Sequence, residues 1–213
     1  MDNLDEEKNS FLYKLLKYPF VYKSLQFITH KKNTYRFIYQ NILKTDEESI
    51  VLDCGCGPAQ YRELINCKKY VGIDFNDKYI EKAIKKFPKD DFFISDIVNF
   101  DFKRTEKFSH IILFGLLHHL NDENSKMLIN VLKSQLKKDG NIVTFDPVYV
   151  FEKQDLYTKL ANYFASKDRG NYVRTEENYK KLIDLNSSEI ITEIHEKLMR
   201  LPWIHYVMYI KNK

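Results

Sequence analysis

The sequence lacks the features of secreted and membrane-spanning proteins. Only three cysteines occur, Cys54, Cys56 and Cys67, and this odd, sparse set indicates a reducing compartment without a disulfide framework. No apolar run reaches the roughly 20 residues that span a bilayer. The N-terminus is acidic where a secretion signal would be basic. We therefore expect a cytoplasmic protein without stable membrane insertion.

The charge balance and the sparse metal ligands argue against two further classes. The chain has 34 Lys and Arg against 30 Asp and Glu, a formal net charge of +4, whereas nucleic-acid binders usually carry a strong basic excess on one face. Cys54 and Cys56 have no second ligand pair at zinc-finger spacing. We expect neither a nucleic-acid partner nor a bound metal. The 15 Tyr and 15 Phe favour an aromatic pocket for a small molecule.

The pattern along the 213 residues predicts one α/β domain. Residues 10–44 have apolar residues at helical spacing, and we predict a helical cap over residues 1–45 and the main domain over residues 46–213. The aromatic and lysine-rich residues 11–27 fit a helix that covers this domain; a helix lying on a membrane surface is the alternative. Short apolar runs predict strands that alternate with helical patterns, which implies crossover units and a parallel sheet. The predicted strands are 49–53, 70–74, 91–95, 110–114 and 141–145, and the predicted helices are 61–66, 77–86 and 122–137.

The rhythm breaks at residues 147–175, which are too many for a simple connection and predict a lid. A helix at 176–185 and strands at 189–195 and 204–210 follow. The short connection between these two strands predicts an antiparallel hairpin at one edge. The expected fold is a seven-stranded, mostly parallel, Rossmann-like sheet with helices on both faces.

Three predicted strands each end in an aspartate. Asp53 precedes the glycine loop Cys54-Gly-Cys-Gly57, where glycine lets the backbone turn sharply and approach a ligand. Asp74 ends the next strand, at the spacing of about 20 residues used for ribose hydroxyls in dinucleotide-binding folds. Asp96 follows the third strand, where an acid can accept from an adenine amino group. Each aspartate alone also fits a helix cap or a turn, but together they predict a nucleoside site.

The glycine spacing separates two cofactor classes. A nicotinamide dinucleotide calls for Gly-x-Gly-x-x-Gly; Gly55 and Gly57 fit the first two positions, but Gln60 stands at the third. This pattern favours S-adenosylmethionine. The predicted cofactor site consists of the three acids and residues of the neighbouring loops: Asp53, Gly55, Cys56, Gly57, Tyr61, Asp74, Phe75, Tyr79, Asp96, Ile97, Phe114 and Gly115.

Five segments resemble the motifs of class I S-adenosylmethionine-dependent methyltransferases: 51–59, 71–74, 93–96, 111–120 and 136–144. Ala59 and Asp139 depart from the commonest pattern, and neither position concerns the cofactor's charged groups. The segment 167–175, with Asp-Arg-Gly and Val-Arg-Thr, resembles a bacterial subgroup associated with surface polysaccharide loci. Residues 19–22 and Gln26 are similar to the upstream helix of that subgroup. The resemblance implies methyl transfer to a small molecule.

Methyl transfer to an alcohol benefits from a base, and His118 and His119 follow the fourth strand at the expected position of the methyl group. Because they are adjacent on a turn, we expect only one to face the acceptor, with His119 preferred. The lid combines aromatic residues, which stack on sugars, with arginines, which bind phosphate or carboxylate. An ordinary helical cap with internal ion pairs is the alternative. The predicted substrate-binding residues are Tyr22, Gln26, Asp146, Arg169 and Arg174.

The predicted reaction is O-methylation of a saccharide or nucleotide sugar. A lipid, quinone or amine acceptor is the alternative enzyme function, and a non-catalytic S-adenosylmethionine-binding scaffold is a further alternative. We expect a monomer or a homodimer.

Overall fold

Parallel strands whose residues are buried on both faces form the centre of the computed structural model, which describes residues 33–102 and 106–213. All five residues of β1 are buried, as expected for a parallel strand covered by helices on both sides. The eight strands among the described residues are β1 Ile50–Cys54, β2 Lys69–Asp74, β3 Asp91–Ile94, β4 Phe108–Phe114, β5 Leu136–Tyr149, β6 Arg174–Thr175, β7 Ser188–Glu196 and β8 Ile204–Asn212.

The strand order confirms the predicted sheet. Seven strands lie in the order β3-β2-β1-β4-β5-β8-β7, and the two-residue β6 pairs with β5 beside this path. The first five of these strands are parallel. β8 is antiparallel both to β5 and to β7, which confirms the C-terminal hairpin. Because β1, β2 and β3 are parallel neighbours, their carboxyl ends share one edge of the sheet.

Two hydrophobic clusters cover the two faces. Alternate residues of β1 enter different clusters: Val51 packs with Ile38 and Ile42, whereas Leu52 packs with the helices on the other face. This period of two is the side-chain alternation of a strand. The helices are α1 Thr34–Phe37, α2 Asp77–Lys86, α3 Asp122–Ser134, α4 Leu156–Ser166 and α5 Glu176–Lys180, and a π-helical turn at Ile38–Leu43 continues α1.

Several predicted elements differ in extent from the structure; the helix predicted at 176–185, for example, ends at Lys180. The helix predicted at 61–66 is a single 3-10 turn, Arg62–Leu64, because Ile65 adopts an extended backbone and its side chain enters the core. The fifth strand begins earlier than predicted. Phe108 donates its backbone N–H to Gln135 O at 2.9 Å and pairs with Leu136, so the chain leaves α3 at Ser134.

The lid predicted at 147–175 comprises the end of β5, the helix α4 and the strand β6. Asp155 caps α4 by accepting the backbone N–H of Thr158 at 3.0 Å. In the described ranges, no helix has both the length and the apolarity needed to cross a bilayer. The first predicted helix, with Tyr22 and Gln26, lies outside the described residues, and the division into a cap and a main domain stays a prediction.

Candidate active site

The three aspartates lie at the shared carboxyl edge of β1, β2 and β3. Asp53 pairs in register with Gly72, and Asp74 pairs with Ile94. Asp96 follows the end of β3. Asp53 and Asp74 are each only 8% exposed. The topology therefore gathers the predicted nucleoside-binding acids at the edge where open α/β sheets bind ligands.

The glycine loop crosses over the end of β2. The backbone N–H groups of Gly55 and Cys56 both donate to Ile73 O, at 2.8 and 3.1 Å. Gly55 and Gly57 have φ angles of 77° and 55°, a region that glycine adopts without steric cost. Gly57 N–H donates to Asp74 Oδ2 at 2.9 Å. The loop thus joins the first strand end to the second acid.

Asp53 is a buried carboxyl group with one neutral hydrogen-bond donor. Tyr70 Oη donates to Asp53 Oδ2 at 2.6 Å. Burial raises the pKa of Asp53 to about 6; the Tyr70 hydrogen bond opposes this rise, and the charge of Asp74 adds to it. No salt bridge reaches Asp53 from the described residues. A buried carboxylate without a cation is unfavourable, so this position favours a positively charged ligand.

Asp74 is held by backbone donors on both oxygens. Asn76 N–H donates to Oδ1 and Gly57 N–H donates to Oδ2, each at 2.9 Å. Burial raises the pKa of Asp74, whereas these two hydrogen bonds and the charge of Arg169 lower it. Because a carboxylate offers about four lone-pair sites, Asp74 retains acceptor capacity for hydroxyl groups.

Asp96 lies at the carboxyl edge of the sheet and is also the N-cap of a short helical turn. It accepts the N–H of Val98 at 3.1 Å and the side-chain amide of Asn99 at 2.7 Å, and so caps the 3-10 turn Ile97–Asn99. Its proposed contact with adenine therefore depends on the lone pairs that remain.

The other predicted cofactor residues differ in exposure. Phe75, directly after Asp74, is 63% exposed, and the Tyr61 ring stacks on Tyr35 with centroids 3.5 Å apart. Tyr35 is a neighbour that the sequence analysis missed, because nothing in the pattern links the cap to the glycine loop. Cys56 and Tyr79 are half-buried.

The end of β4 supplies the remaining predicted positions. Phe114 is half-buried against Phe145, with centroids 5.8 Å apart, and Gly115 donates its N–H to Phe145 O at 2.8 Å. Ile97, by contrast, is buried in the core. Its side chain therefore supports the edge from below.

His118 is held between two carboxylates from different parts of the chain. Its Nδ1 lies 2.8 Å from Asp146 Oδ1, at the end of β5, and its Nε2 lies 3.1 Å from Asp168 Oδ1, in the lid. Burial would lower the pKa of His118, but Asp146 and Asp168 outweigh this effect and raise it to about 9. His118 is therefore protonated at neutral pH, and a protonated imidazole cannot accept a proton.

The lid backbone packs directly on His118. A Cβ atom built on Gly170 would meet His118 Cδ2 at 2.2 Å and His118 O at 2.3 Å, so no side chain fits there. Tyr172 N–H donates to His118 O at 2.9 Å. We call His118, Asp146 and Asp168 the histidine clasp. Asp168 was absent from the predicted site, although the lid motif Asp-Arg-Gly contains it.

His119 differs from its neighbour in charge. The two rings lie 4.2 Å apart, and His119 is half-buried. Burial and the charges of His118 and Arg169 lower the pKa of His119, against the opposing charge of Asp168. His119 is therefore neutral at neutral pH. Of the two histidines, it is the one that can take a proton, and its catalytic role stays a prediction.

The two predicted arginines have different surroundings. Arg174 is 6% exposed, and all its N–H groups are directed at protein acceptors: Asp122 Oδ1 and the backbone oxygens of Leu117, Leu120 and Tyr172. It ties the lid to the histidine turn, and its geometry gives no support to direct substrate binding. Arg169 is half-buried, and its charge acts on both Asp74 and His119.

His118, His119 and Asp168 place potential metal-ligand atoms within 4.8 Å of one another. Both ring nitrogens of His118, however, lie within hydrogen-bond distance of a carboxylate oxygen. A histidine that donates from both nitrogens has no lone pair for a metal. The geometry therefore favours a proton at this position, and the absence of a metal stays a prediction.

The histidine clasp predicts a separation of the two imidazole titrations. By NMR, we expect His118 to titrate near pH 9 and His119 well below pH 6.5. Because the folded-state pKa of His118 is raised, the stability that the clasp contributes is full below about pH 6.5 and is lost as the pH rises through about 9. Asp168→Asn should lower the His118 pKa, since one of its carboxylates is removed.

Asp155→Asn is the matched control, because Asp155 caps α4 in the same lid. It should leave both histidine titrations unchanged. A His118 that titrates near pH 6.5 and ignores Asp168→Asn would contradict the clasp.

Comparison with known families gives a match over the glycine loop and the first four strands. Residues 51–140 match the family described as Methyltransferase domain. The matched segment contains Asp53, Asp74, Asp96 and both histidines of the turn. No curated protein matches the chain by sequence.

Solved structures match the whole architecture at low sequence identity. The plantazolicin methyltransferase BpumL, in complex with a triazolic desmethylPZN analog and S-adenosylhomocysteine (SAH), superposes with a TM-score of 0.65 at 18% identity, over 95% of each chain. The N-methyltransferase NodS from Bradyrhizobium japonicum, in complex with S-adenosylhomocysteine, gives 0.64 at 16% identity, over 98% of this chain and 96% of NodS. The chain thus has the Rossmann-like fold of these methyltransferases, and residues 51–140 are similar to the family described as Methyltransferase domain.

Proposed function

We propose that the protein is an S-adenosylmethionine-dependent methyltransferase that methylates a hydroxyl group of a saccharide or sugar nucleotide. One observation carries the proposal. Two buried acids without a salt bridge to the described residues and a glycine loop that a ligand can approach share an edge of the methyltransferase fold with a neutral histidine. The acids suit a cationic nucleoside, and the histidine suits an acceptor that must lose a proton.

The cofactor fits the charge of this edge. Burial raises the pKa of both Asp53 and Asp74, so a ligand with ammonium and sulfonium charges would offset an existing electrostatic cost. We assign Asp53 to the ammonium group, Asp74 to the ribose hydroxyls and Asp96 to the adenine amino group. Exposed Phe75 is placed to cover the base. When bound, S-adenosylmethionine supplies a methyl group on a positively charged sulphur.

We assign His119 as the base that removes the proton from the acceptor's hydroxyl group. An alcohol is a poor nucleophile until its proton leaves, and a positioned base assists that step. A ring nitrogen of neutral His119 would take the hydroxyl proton as the acceptor oxygen bonds to the methyl carbon and the carbon–sulphur bond breaks, which would leave S-adenosylhomocysteine as the second product. His118 stays protonated and positions the turn on which His119 lies. Asp146 acts through His118: its Oδ1 accepts from the His118 ring.

The lid supplies the acceptor's surroundings. Exposed rings can stack on a sugar face; Phe151 and Tyr163 are 63% and 57% exposed. Half-buried Arg169 is suited to a phosphate or carboxylate, which supports a nucleotide sugar. The Asp-Arg-Gly and Val-Arg-Thr resemblance to the polysaccharide-locus subgroup points the same way. Tyr22 and Gln26 remain proposed contacts. Arg174 is assigned to holding the lid.

Other acceptors make different demands on the site. An amine is nucleophilic once neutral and needs no strong base, so a rate insensitive to His119 would favour an amine. A lipid or quinone would need apolar contacts instead of Arg169. A scaffold without catalysis would bind the cofactor but transfer no methyl group to any acceptor.

The cofactor assignment predicts a large effect of Asp74. Calorimetry should detect S-adenosylmethionine binding to the wild-type protein, and Asp74→Asn should weaken it by about 10- to 100-fold, because charged hydrogen bonds contribute about 1.5–3 kcal/mol each. Asp77→Asn, an exposed acid beside the site, is the control and should bind normally. A wild-type protein that does not bind the cofactor would refute the proposal.

The base assignment predicts a selective loss of turnover. Nucleotide sugars should be screened for uptake of a labelled methyl group. On the acceptor found, His119→Ala should lower kcat by about 10²- to 10⁴-fold with little change in cofactor affinity. His195→Ala, a histidine on the edge strand β7, is the control and should retain wild-type turnover. Undiminished turnover in His119→Ala would rule out base catalysis by this residue.

A further inference from the structure

A chain of buried and half-buried side chains lies beneath the cofactor edge, the edge of the sheet where the three aspartates lie, and ends at Asp53. Arg62 forms a two-pronged ion pair with Asp90, with Nε to Oδ2 at 2.7 Å and Nη2 to Oδ1 at 3.1 Å. Its guanidinium carbon lies 4.8 Å from the centre of the Tyr70 ring. Tyr70 in turn donates to Asp53 Oδ2 at 2.6 Å.

We infer that Tyr70 is a positioning residue of the cofactor site: its hydroxyl holds one oxygen of Asp53 and leaves the other oxygen for the ammonium group of the methyl donor. The inference rests on the proposed function. Tyr70 is 1% exposed and so lies beneath the acid. It therefore acts on the cofactor through Asp53.

The strand geometry explains how Tyr70 reaches Asp53. Tyr70, Gly72 and Asp74 alternate along β2 and point to the same face, since the side-chain period of a strand is two. Gly72 pairs with Asp53 in register and Tyr70 pairs with Val51, so Tyr70 lies two residues along the neighbouring strand from the position opposite the acid. Arg62 fixes the ring from the other side, with its own Nη1 anchored to Ile65 O at 2.7 Å.

The hydroxyl is the main favourable contact of the Asp53 charge. The titratable groups that act on Asp53 and Tyr70 are Asp74 on β2, Cys54 and Cys56 on β1 and its loop, Tyr39 on the π-helical turn, and Arg62. Among the described residues, Tyr70 donates a hydrogen bond to the Asp53 carboxylate, and none of the groups just named does so. Burial and Asp74 raise the pKa of Asp53 to about 6, against the lowering by Tyr70.

The cofactor's ammonium group requires the ionised carboxylate, so protons compete with binding. Affinity for S-adenosylmethionine should fall below about pH 6, by up to about tenfold per pH unit. Removing the Tyr70 hydroxyl raises the Asp53 pKa further. The acid limb of binding then moves to higher pH.

The test compares binding between pH 5 and 8.5 by calorimetry. Tyr70→Phe should move the acid limb upward by about one pH unit, the size expected for a hydrogen bond to a charged group, with affinity near pH 8.5 close to wild type. Tyr179→Phe is the matched control, because its equally buried hydroxyl donates to Pro147 O at 2.9 Å. It should keep the wild-type limb.

If the affinity of Tyr70→Phe for S-adenosylmethionine begins to fall at the same pH as in the wild type, the inference is overturned. This holds even if the affinity of the variant is lower at every pH. A trifluorotyrosine introduced at position 70 covers the case in which Tyr70→Phe does not fold. It keeps the shape of the ring and strengthens the donor, so the limb should move to lower pH. An unchanged limb there would also overturn the inference.

A measurement without cofactor separates this inference from the proposed function. The Asp53 carboxyl carbon can be titrated by NMR in the free protein. An upward shift in Tyr70→Phe supports the hydrogen-bond coupling even if the wild-type protein binds no S-adenosylmethionine. Normal cofactor binding with no shift refutes the coupling and leaves the proposed function intact.

Discussion

The proposed site depends on one constraint, the burial of two carboxylates that form no salt bridge with the described residues at the edge of a parallel sheet. β1 and β2 end side by side, so Asp53 and Asp74 are near enough for each charge to disfavour the other. Among the described residues, their hydrogen bonds come from the Tyr70 hydroxyl and from backbone N–H groups, and the charge of Arg169 favours the ionised form of Asp74. A positively charged ligand would reduce this electrostatic cost most. The cofactor edge therefore favours cationic ligands through charge alone, apart from any fit of shape.

A second electrostatic feature is the pair of histidines that follows β4, the next strand along the sheet. Two adjacent histidines differ in protonation state because their neighbours differ. Carboxylates contact both nitrogens of His118, whereas His119 lies beside His118 and within the influence of Arg169. The charged histidine joins the sheet to the lid, and the neutral one is available for chemistry. The two histidines thus have different roles, structural for His118 and, as proposed, catalytic for His119. Asp168 of the lid contributes to this difference because it contacts His118 and raises its pKa.

The sequence predicted the elements that have strong periodicity and the acids that end strands. The bounds of α2 agree with the prediction, and the strand order follows from alternating elements and crossover rules. The sequence could not predict contacts between segments that are far apart along the chain. The clasp joins Asp168 of the lid to His118, and the Tyr70 hydroxyl of β2 contacts Asp53 of β1. Arg174 carried the same motif signal as Arg169, yet buried carbonyl groups surround its guanidinium; sequence alone does not distinguish an arginine that binds a ligand from one that holds a turn.

The central claim is that one edge of the sheet holds the methyl donor through three acids. A crystal structure of the protein with S-adenosylhomocysteine tests it most directly. The account predicts the amino group at Asp53, the ribose at Asp74 and the adenine near Asp96, with the histidine clasp intact beside the sulphur. A ligand bound elsewhere on the fold, or bound in that crevice with the ribose away from Asp74, would contradict the account.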